Sequence, residues 1–291
     1  RYCYITVVTI ATASNDFFLL KIHHSIKNFS IFLPLIAGHS VMNITFLNGI
    51  FHFINFTIIA SIVYLFNNIK DYRSDKNNKK LKYDIDLKKI KNYYYFGIII
   101  LLIQLIILLI FEREIIGICI IYFSISIAYN FYLKQKKYID IIIISIFHLI
   151  RIYYGSIAFE IELSIYFILF CLAIFLMIGA NKRLSEIHKK YENRPYEIKD
   201  RATLEIIQLL SAVFAILIFL LYCLDSSKNQ FFVNHIYIYF NFFIINLLIG
   251  NFIYSQKRKN QDIIEFIYKN KINYFLVLLF LITFFKNSIS L

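Results

Sequence analysis

Asn67, Asp71 and Asp75 recur at intervals of four in the stretch Asn67-Asn68-Ile69-Lys70-Asp71-Tyr72-Arg73-Ser74-Asp75, directly after a long apolar run. Continued as helix, this spacing stacks the three side chains in one stripe, because residues four apart lie one above another. Asn68, three before Asp71, borders the stripe. Hard oxygen donors in this arrangement can hold a Mg²⁺ ion that keeps some waters and also grips substrate phosphates. Lys70, Arg73, Lys76, Lys79, Lys80 and Lys82 surround the stripe, so a polyanion is its natural guest. A solvated, mixed-charge loop is the other reading of the same run.

Two further sets of polar residues interrupt apolar sequence. Asp140 and Arg151 stand eleven apart, close to three helical turns and so nearly on one face, with Arg151 roughly 16 Å deeper along the helix. A charged Arg at that depth costs at least ~2.5–3.5 kcal/mol unless it faces a polar cavity, so it is expected to point inward, a helix–helix salt bridge being the plainer alternative. The segment Gly179-Ala180-Asn181-Lys182-Arg183-Leu184-Ser185-Glu186 leaves an apolar run and continues polar. Lys182 and Glu186, four apart, can pair and leave Arg183 for a phosphate. Its simpler reading is a basic anchor at a membrane surface.

The elements that must position these groups are membrane spans. Of 291 residues, 59% are hydrophobic and 19% aromatic, with seven Gly, two Pro and no Trp, against about 45–50% apolar in soluble domains. The expected fold class is therefore all-α, a polytopic membrane protein. The net charge of +13 comes from 31 Lys and Arg against 18 Asp and Glu. These basic residues sit in short loops between apolar runs, which is the positive-inside pattern and not a nucleic-acid footprint. Cys3, Cys119, Cys171 and Cys223 lie in apolar stretches without CxxC spacing and read as small core hydrophobes.

Nine spans are expected, at about 29–45, 46–66, 93–111, 115–133, 138–159, 163–180, 203–224, 231–254 and 272–285. Connections 67–92, 134–137, 181–201 and 257–271 carry the Lys and Arg clusters, whereas 39–45, 112–114, 160–162 and 225–230 are neutral or acidic. The first set is therefore expected in the cytoplasm, which puts the Asn67–Asp75 stripe and the Lys182 segment in the same compartment. Residues 1–20 read as an N-terminal extension: an interfacial helix, a signal remnant or the tail of a preceding domain. Residues 21–291 form the transmembrane domain.

Taken together, these motifs resemble the UbiA superfamily of membrane transferases, and within it the branch of decaprenyl-phosphate phosphoribosyltransferases. The branch's Asn-Asp-x-x-Asp-x-x-x-Asp pattern after the second span corresponds to Asn67-Asn68-x-x-Asp71-x-x-x-Asp75, with Tyr64-Leu65 before it and Lys80 after it. Lys27-Asn28, Leu33-Pro34-Leu35, Ala128-Tyr129 and Leu133-Lys134 also match, as does the pair Asp140 and Arg151. The Gly-Lys-Arg-x-x-Glu hallmark appears as Lys182-Arg183 and Glu186, with Asn181 in the glycine's place. Departures are Asn68 for an aspartate, Tyr83-Asp84 where Arg-Pro is usual, and Ala202 for a tyrosine at the seventh span.

What the resemblance implies is a nine-helix bundle around a central cavity, in a bacterial inner or plasma membrane. Its reaction would move 5-phosphoribosyl from phosphoribosyl pyrophosphate to a polyprenyl phosphate. It implies Mg²⁺ on Asn67, Asn68, Asp71 and Asp75; catalytic roles for Asp71, Asp75, Lys182 and Arg183; and substrate contacts from Lys27, Asn28, Lys80, Tyr129, Lys134, Asp140, Arg151 and Glu186. Two alternatives remain open. One is a UbiA-type aromatic prenyltransferase using a prenyl diphosphate, although the segment after the sixth span has no Asp before Asp200. The other is a transporter or scaffold, against which stands the missing inverted-repeat signal.

Overall fold

The computed structural model describes residues 22–38, 46–77, 87–188, 195–224, 235–259 and 271–288. Residues 1–20 and the loop carrying Lys79, Lys80 and Lys82 lie outside them. Among the described residues every regular element is helical. A 3₁₀ segment, Ile22–Phe32, leads into α1 (Leu33–Ala37), followed by α2 (Phe46–Asn77), α3 (Leu87–Phe111), α4 (Arg113–Phe131) and a single 3₁₀ turn at Leu133–Gln135. Then come α5 (Ile139–Ala158), α6 (Ile165–His188), a 3₁₀ turn at Ile198–Asp200, α7 (Arg201–Leu224), α8 (His235–Lys259) and α9 (Lys271–Ser288).

The protein is an integral membrane protein whose helices follow the expected order. Among the described residues six helices are long and apolar enough to cross a bilayer: Leu47–Tyr72, Ile90–Phe111, Arg113–Phe131, Ile139–Ala158, Ile165–Ile187 and Ile198–Leu224. Three apolar helices are shorter, Lys27–Ala37, Tyr239–Ser255 and Lys271–Thr283. In the first of these the winding changes from 3₁₀ to α next to Pro34, which has no N–H to continue the ladder. Exposed rows such as Ile99, Ile103, Ile106 and Ile110 on α3, and Leu210, Val213, Leu217 and Leu221 on α7, are the faces lipid would solvate.

The chain divides into two compact units. The first contains α2, α3, α4 and α5 from Ile150 onward. There α2 packs on α3, α4 and the 3₁₀ segment. Phe56 of α2 sits edge-on between Tyr122 and Tyr154, with ring centroids 5.1 and 5.0 Å away. His52 Nδ1 lies 3.4 Å from Tyr154 Oη, and Gln104 donates to the Asn55 carbonyl at 2.8 Å. The end of α5 is closed by a Schellman arrangement, Ile161 N–H to Ser156 O and Glu160 N–H to Ile157 O, with Glu160 at φ 53° in the position usually given to glycine.

The second unit holds the start of α5 and α6 to α9. Ala173 and Ala180 on α6, with Ala212 and Ala215 on α7, are buried small residues that allow the two backbones to approach closely. Asn241 and Thr283 are hydrogen-bonded at 2.5 Å, and Asn251 and Asn273 at 3.4 Å, both pairs joining α8 to α9. Such contacts are worth about 0.6–2 kcal/mol each and help set the register of the two helices. Cys119, Cys171 and Cys223 are buried free thiols, as their apolar surroundings imply.

Gly155 on α5 touches the backbone of the 3₁₀ segment. A Cβ there would fall 2.7 Å from the Ile31 carbonyl carbon and closer still to its oxygen, whereas one at Gly117 of α4 would meet nothing within 4 Å. Gly155→Ala should therefore destabilise the protein by about 1–3 kcal/mol through forced displacement of backbone. Gly117→Ala should be neutral or gain up to ~1 kcal/mol of helix propensity. Thermal unfolding of the two variants in detergent checks the contrast.

Candidate functional site

The oxygen-donor stripe is helical, as its spacing requires. α2 runs unbroken past the apolar stretch to Asn77, so Asn67, Asn68, Asp71 and Asp75 all stand on one helix. The side chains of Asp75 and Arg73, and the whole of Lys80, fall outside the described residues. Asp71 carries a cation: the Lys134 ammonium, from the 3₁₀ turn after α4, bonds to Asp71 Oδ2. The two side chains are only 10% and 18% exposed, so the pair is shielded far better than a surface ion pair. In the opposite direction, Lys70 of α2 donates to the Asn130 carbonyl and lies 4.0 Å over the Phe131 ring. That carbonyl is in the last turn of α4, where the helix dipole presents partial negative charge. Two lysines thus bind α2 and the end of α4 reciprocally. Tyr129 is half-buried beside Asn130.

Among the described residues no three His, Cys, Asp or Glu side chains cluster, and the stripe itself offers only carboxylate and amide oxygens. They suit Mg²⁺, which takes one or two carboxylates and completes its shell with water and phosphate oxygens.

The second polar set, in the same unit, is built around Arg151. Its guanidinium is 3% exposed, well inside α5. Nε donates to Asn28 Oδ1 at 3.1 Å and Nη2 to Tyr122 Oη at 3.2 Å. The Asn28 amide in turn donates to Thr57 Oγ1 at 3.2 Å. The cation also lies 5.5 and 5.4 Å from the centroids of Phe56 and Tyr122, a cation–π arrangement that strengthens where water is excluded. Arg151 therefore points inward, and the structure joins it to Asn28. Lys27 is half-buried one residue before.

The third set belongs to the second unit. Arg183, with no exposed surface, places Nε 2.5 Å from Asp140 Oδ2 and Nη1 2.5 Å from Glu186 Oε2. Glu186 thus receives Arg183, the residue the spacing would have left for a phosphate. Asp140 lies in the first turn of α5, where the positive end of the helix dipole favours a carboxylate. Its other oxygen accepts a hydrogen bond from Tyr196. Burial first, and then this bond to Asp140, push the Tyr196 phenol well above its usual range, so it stays a donor. Tyr196 Oη accepts from the Tyr138 N–H at 2.7 Å, and Tyr138 holds a left-handed φ of 66° to aim that N–H. Lys137 reaches Asp200 at 2.6 Å, and Asp200 also accepts from the Glu197 N–H. Lys182 is half-buried beside Arg183.

Of the residues singled out by sequence, three groups meet: Asp71 with Lys134, Asn28 with Arg151, and Asp140 with Arg183 and Glu186. Asp140 and Arg151, on one helix, are anchored by different partners. Sequence reasoning missed Tyr122, Thr57, Tyr196 and the Lys137–Asp200 pair; none lies in a spaced motif.

Among the described residues the regular elements are all helical, six of them long and apolar enough to span a membrane, with charged side chains buried against neighbouring helices, and this is the class of molecule they define. The chain belongs to the UbiA prenyltransferase family, whose profile matches residues 30–284. It is 24% identical over 194 residues to the Sinorhizobium fredii protein y4nM, covering 64% of this chain and 37% of that one. It is 27% identical over 139 residues to the decaprenyl-phosphate phosphoribosyltransferase of Mycobacterium tuberculosis, covering 47% of this chain and 46% of that one. The Mycolicibacterium smegmatis enzyme of the same name is 27% identical over 138 residues, 46% of this chain and 43% of the relative. The matched stretches thus span less than half of these relatives. A solved structure from work on digeranylgeranylglyceryl phosphate synthase in membranes shares the fold, with TM-score 0.64 and 18% identity over 96% of this chain and 99% of that one.

Arg183→Met leaves the Asp140 carboxylate buried without its cation and should cost ~3–5 kcal/mol. The double change Arg183→Met with Asp140→Asn should cost less than the two single changes added together, since neither charge is then stranded. Unfolding midpoints of the four proteins in one detergent give the coupling.

Proposed function

We propose that this chain transfers 5-phosphoribosyl from phosphoribosyl pyrophosphate to a polyprenyl phosphate, with release of pyrophosphate. The observation that carries the reading is Asp71, set on the helical stripe with Asn67, Asn68 and Asp75 and already holding a cation at its carboxylate. The named mycobacterial relatives support the same substrate class.

In this reading Asn67, Asn68, Asp71 and Asp75 would hold Mg²⁺, which would supply positive charge to the departing pyrophosphate. Lys134 and Lys80 bind phosphate oxygens beside the stripe. Lys182 is assigned a substrate phosphate at the end of α6, and Asp140, Arg183 and Glu186 fix the helix that carries it. Arg183 is then a positioning residue, since its Nε and Nη1 are both set against carboxylates. Arg151, held by Asn28 and Tyr122, presents positive charge within the first unit, and Lys27 stands near it in sequence. An oxygen of the lipid phosphate attacks the anomeric carbon as the bond to pyrophosphate breaks. That oxygen is already anionic, so no strong general base is needed, and positioning with charge stabilisation supplies the rate. The positive-inside pattern puts the stripe at the cytoplasmic surface of the membrane.

The family profile favours one competing reading, a prenyl diphosphate donor with an aromatic acceptor. That chemistry would grip a second diphosphate-bound metal with acidic residues at and beyond the C-terminal end of α6, where this chain has Lys182, Arg183 and Glu186 and no Asp before Asp200.

Membranes containing the protein, given labelled phosphoribosyl pyrophosphate, polyprenyl phosphate and Mg²⁺, should pass label into the lipid extract. Asp71→Ala should lower that transfer by about 10²-fold or more. Label that enters lipid only when a prenyl diphosphate and an aromatic acid are supplied would replace this reading with the competing one.

A further inference from the structure

We infer that Lys134 is an exchangeable counter-ion: it neutralises Asp71 while the stripe is empty and is handed to a substrate phosphate when the stripe loads. The inference rests on the metal-binding reading of the stripe. Its starting point is geometric. The Lys134 ammonium occupies Asp71 Oδ2, and both side chains are mostly shielded, so the carboxylate is not left for water to solvate. Lys70 cannot take over this task in the same arrangement, because its ammonium is drawn to the Asn130 carbonyl and the Phe131 ring.

A divalent cation bound by Asp71 would compete with the ammonium for the same oxygen and repel it. Lys134 stands on a single 3₁₀ turn, Leu133–Gln135, and its four-carbon stem with a compact, strongly hydrated charge suits it to change partners. The phosphate that a loaded stripe would bring supplies the replacement anion. Lys134 therefore opposes metal binding before substrate arrives and favours phosphate binding after it. Metal and phosphate are coupled through one side chain, and the coupling is reciprocal.

Mn²⁺ alone, titrated into the detergent-solubilised full chain and followed by electron paramagnetic resonance, tests this directly. Lys134→Gln should bind Mn²⁺ about fivefold more tightly than the wild type, the factor that goes with removing a competing ion pair. Lys134→Arg should stay near the wild type. In a separate measurement, needing no substitution, Mn²⁺ should raise the rate of Lys134 acetylation by acetic anhydride relative to Lys70, read by peptide mass spectrometry. Unchanged or weaker Mn²⁺ affinity in a folded Lys134→Gln protein, or acetylation of Lys134 indifferent to Mn²⁺, would overturn the exchange. If Asp71→Asn still abolished Mn²⁺ binding in that case, the metal-binding reading would stand without it. A wild type that binds no Mn²⁺, or an Asp71→Asn variant that binds it equally well, would remove both.

Discussion

A bilayer offers no water to a charged side chain, so each ion this chain carries into its helical interior must be answered by another group of the protein. The Asp140–Arg183 contact is the fullest case. Neither side chain has exposed surface, and the surplus capacity of the pair is taken up by Glu186 on one side and Tyr196 on the other. A buried pair of this kind contributes little net stability compared with an apolar replacement. What it does is specify which turn of α5 meets which turn of α6, and it brings the segment from Tyr196 to Asp200 back onto the start of α5.

The same requirement is met differently in the first unit. Arg151 is surrounded by neutral acceptors and aromatic faces, with Asn28 as the hinge between Arg151 and Thr57. Asp71, by contrast, is answered by a long and movable lysine from another element. A guanidinium held by several elements and an ammonium carried on a single 3₁₀ turn serve different ends. The first joins α5 to the 3₁₀ segment, α4 and α2, and in the proposed exchange the second would leave a carboxylate able to change its cation. The proposed chemistry draws on that difference, because a site that binds a polyanion through a metal has to be charged when loaded and neutral enough to persist when empty.

The glycines and alanines act on the same scale as these ions. Gly155 lets α5 lie against the Ile31 carbonyl, and the alanines of α6 and α7 let those helices close together. In lipid there is little hydrophobic drive between helices, so close packing and a few polar pairs such as Asn241–Thr283 carry the association.

Much of this was legible from residue order. Apolar runs and the charge of the loops between them determined the helix order, and the four-residue spacing determined that Asn67, Asp71 and Asp75 share a helix face, because backbone geometry alone sets that face. The motif set also led to the family that the profile match establishes. Which group answers which charge was decided only by tertiary structure. Periodicity says that Arg151 points inward but not that Asn28, 123 residues away, will meet it. It allowed Lys182 to pair with Glu186, but it did not say that packing would also bring Arg183 to that carboxylate. It marked Lys134 as one more lysine at a span end, whereas the fold turns that lysine onto Asp71. Helical spacing is a local property of the chain, but a counter-charge in a low-dielectric interior is chosen by whichever distant element arrives within hydrogen-bonding reach.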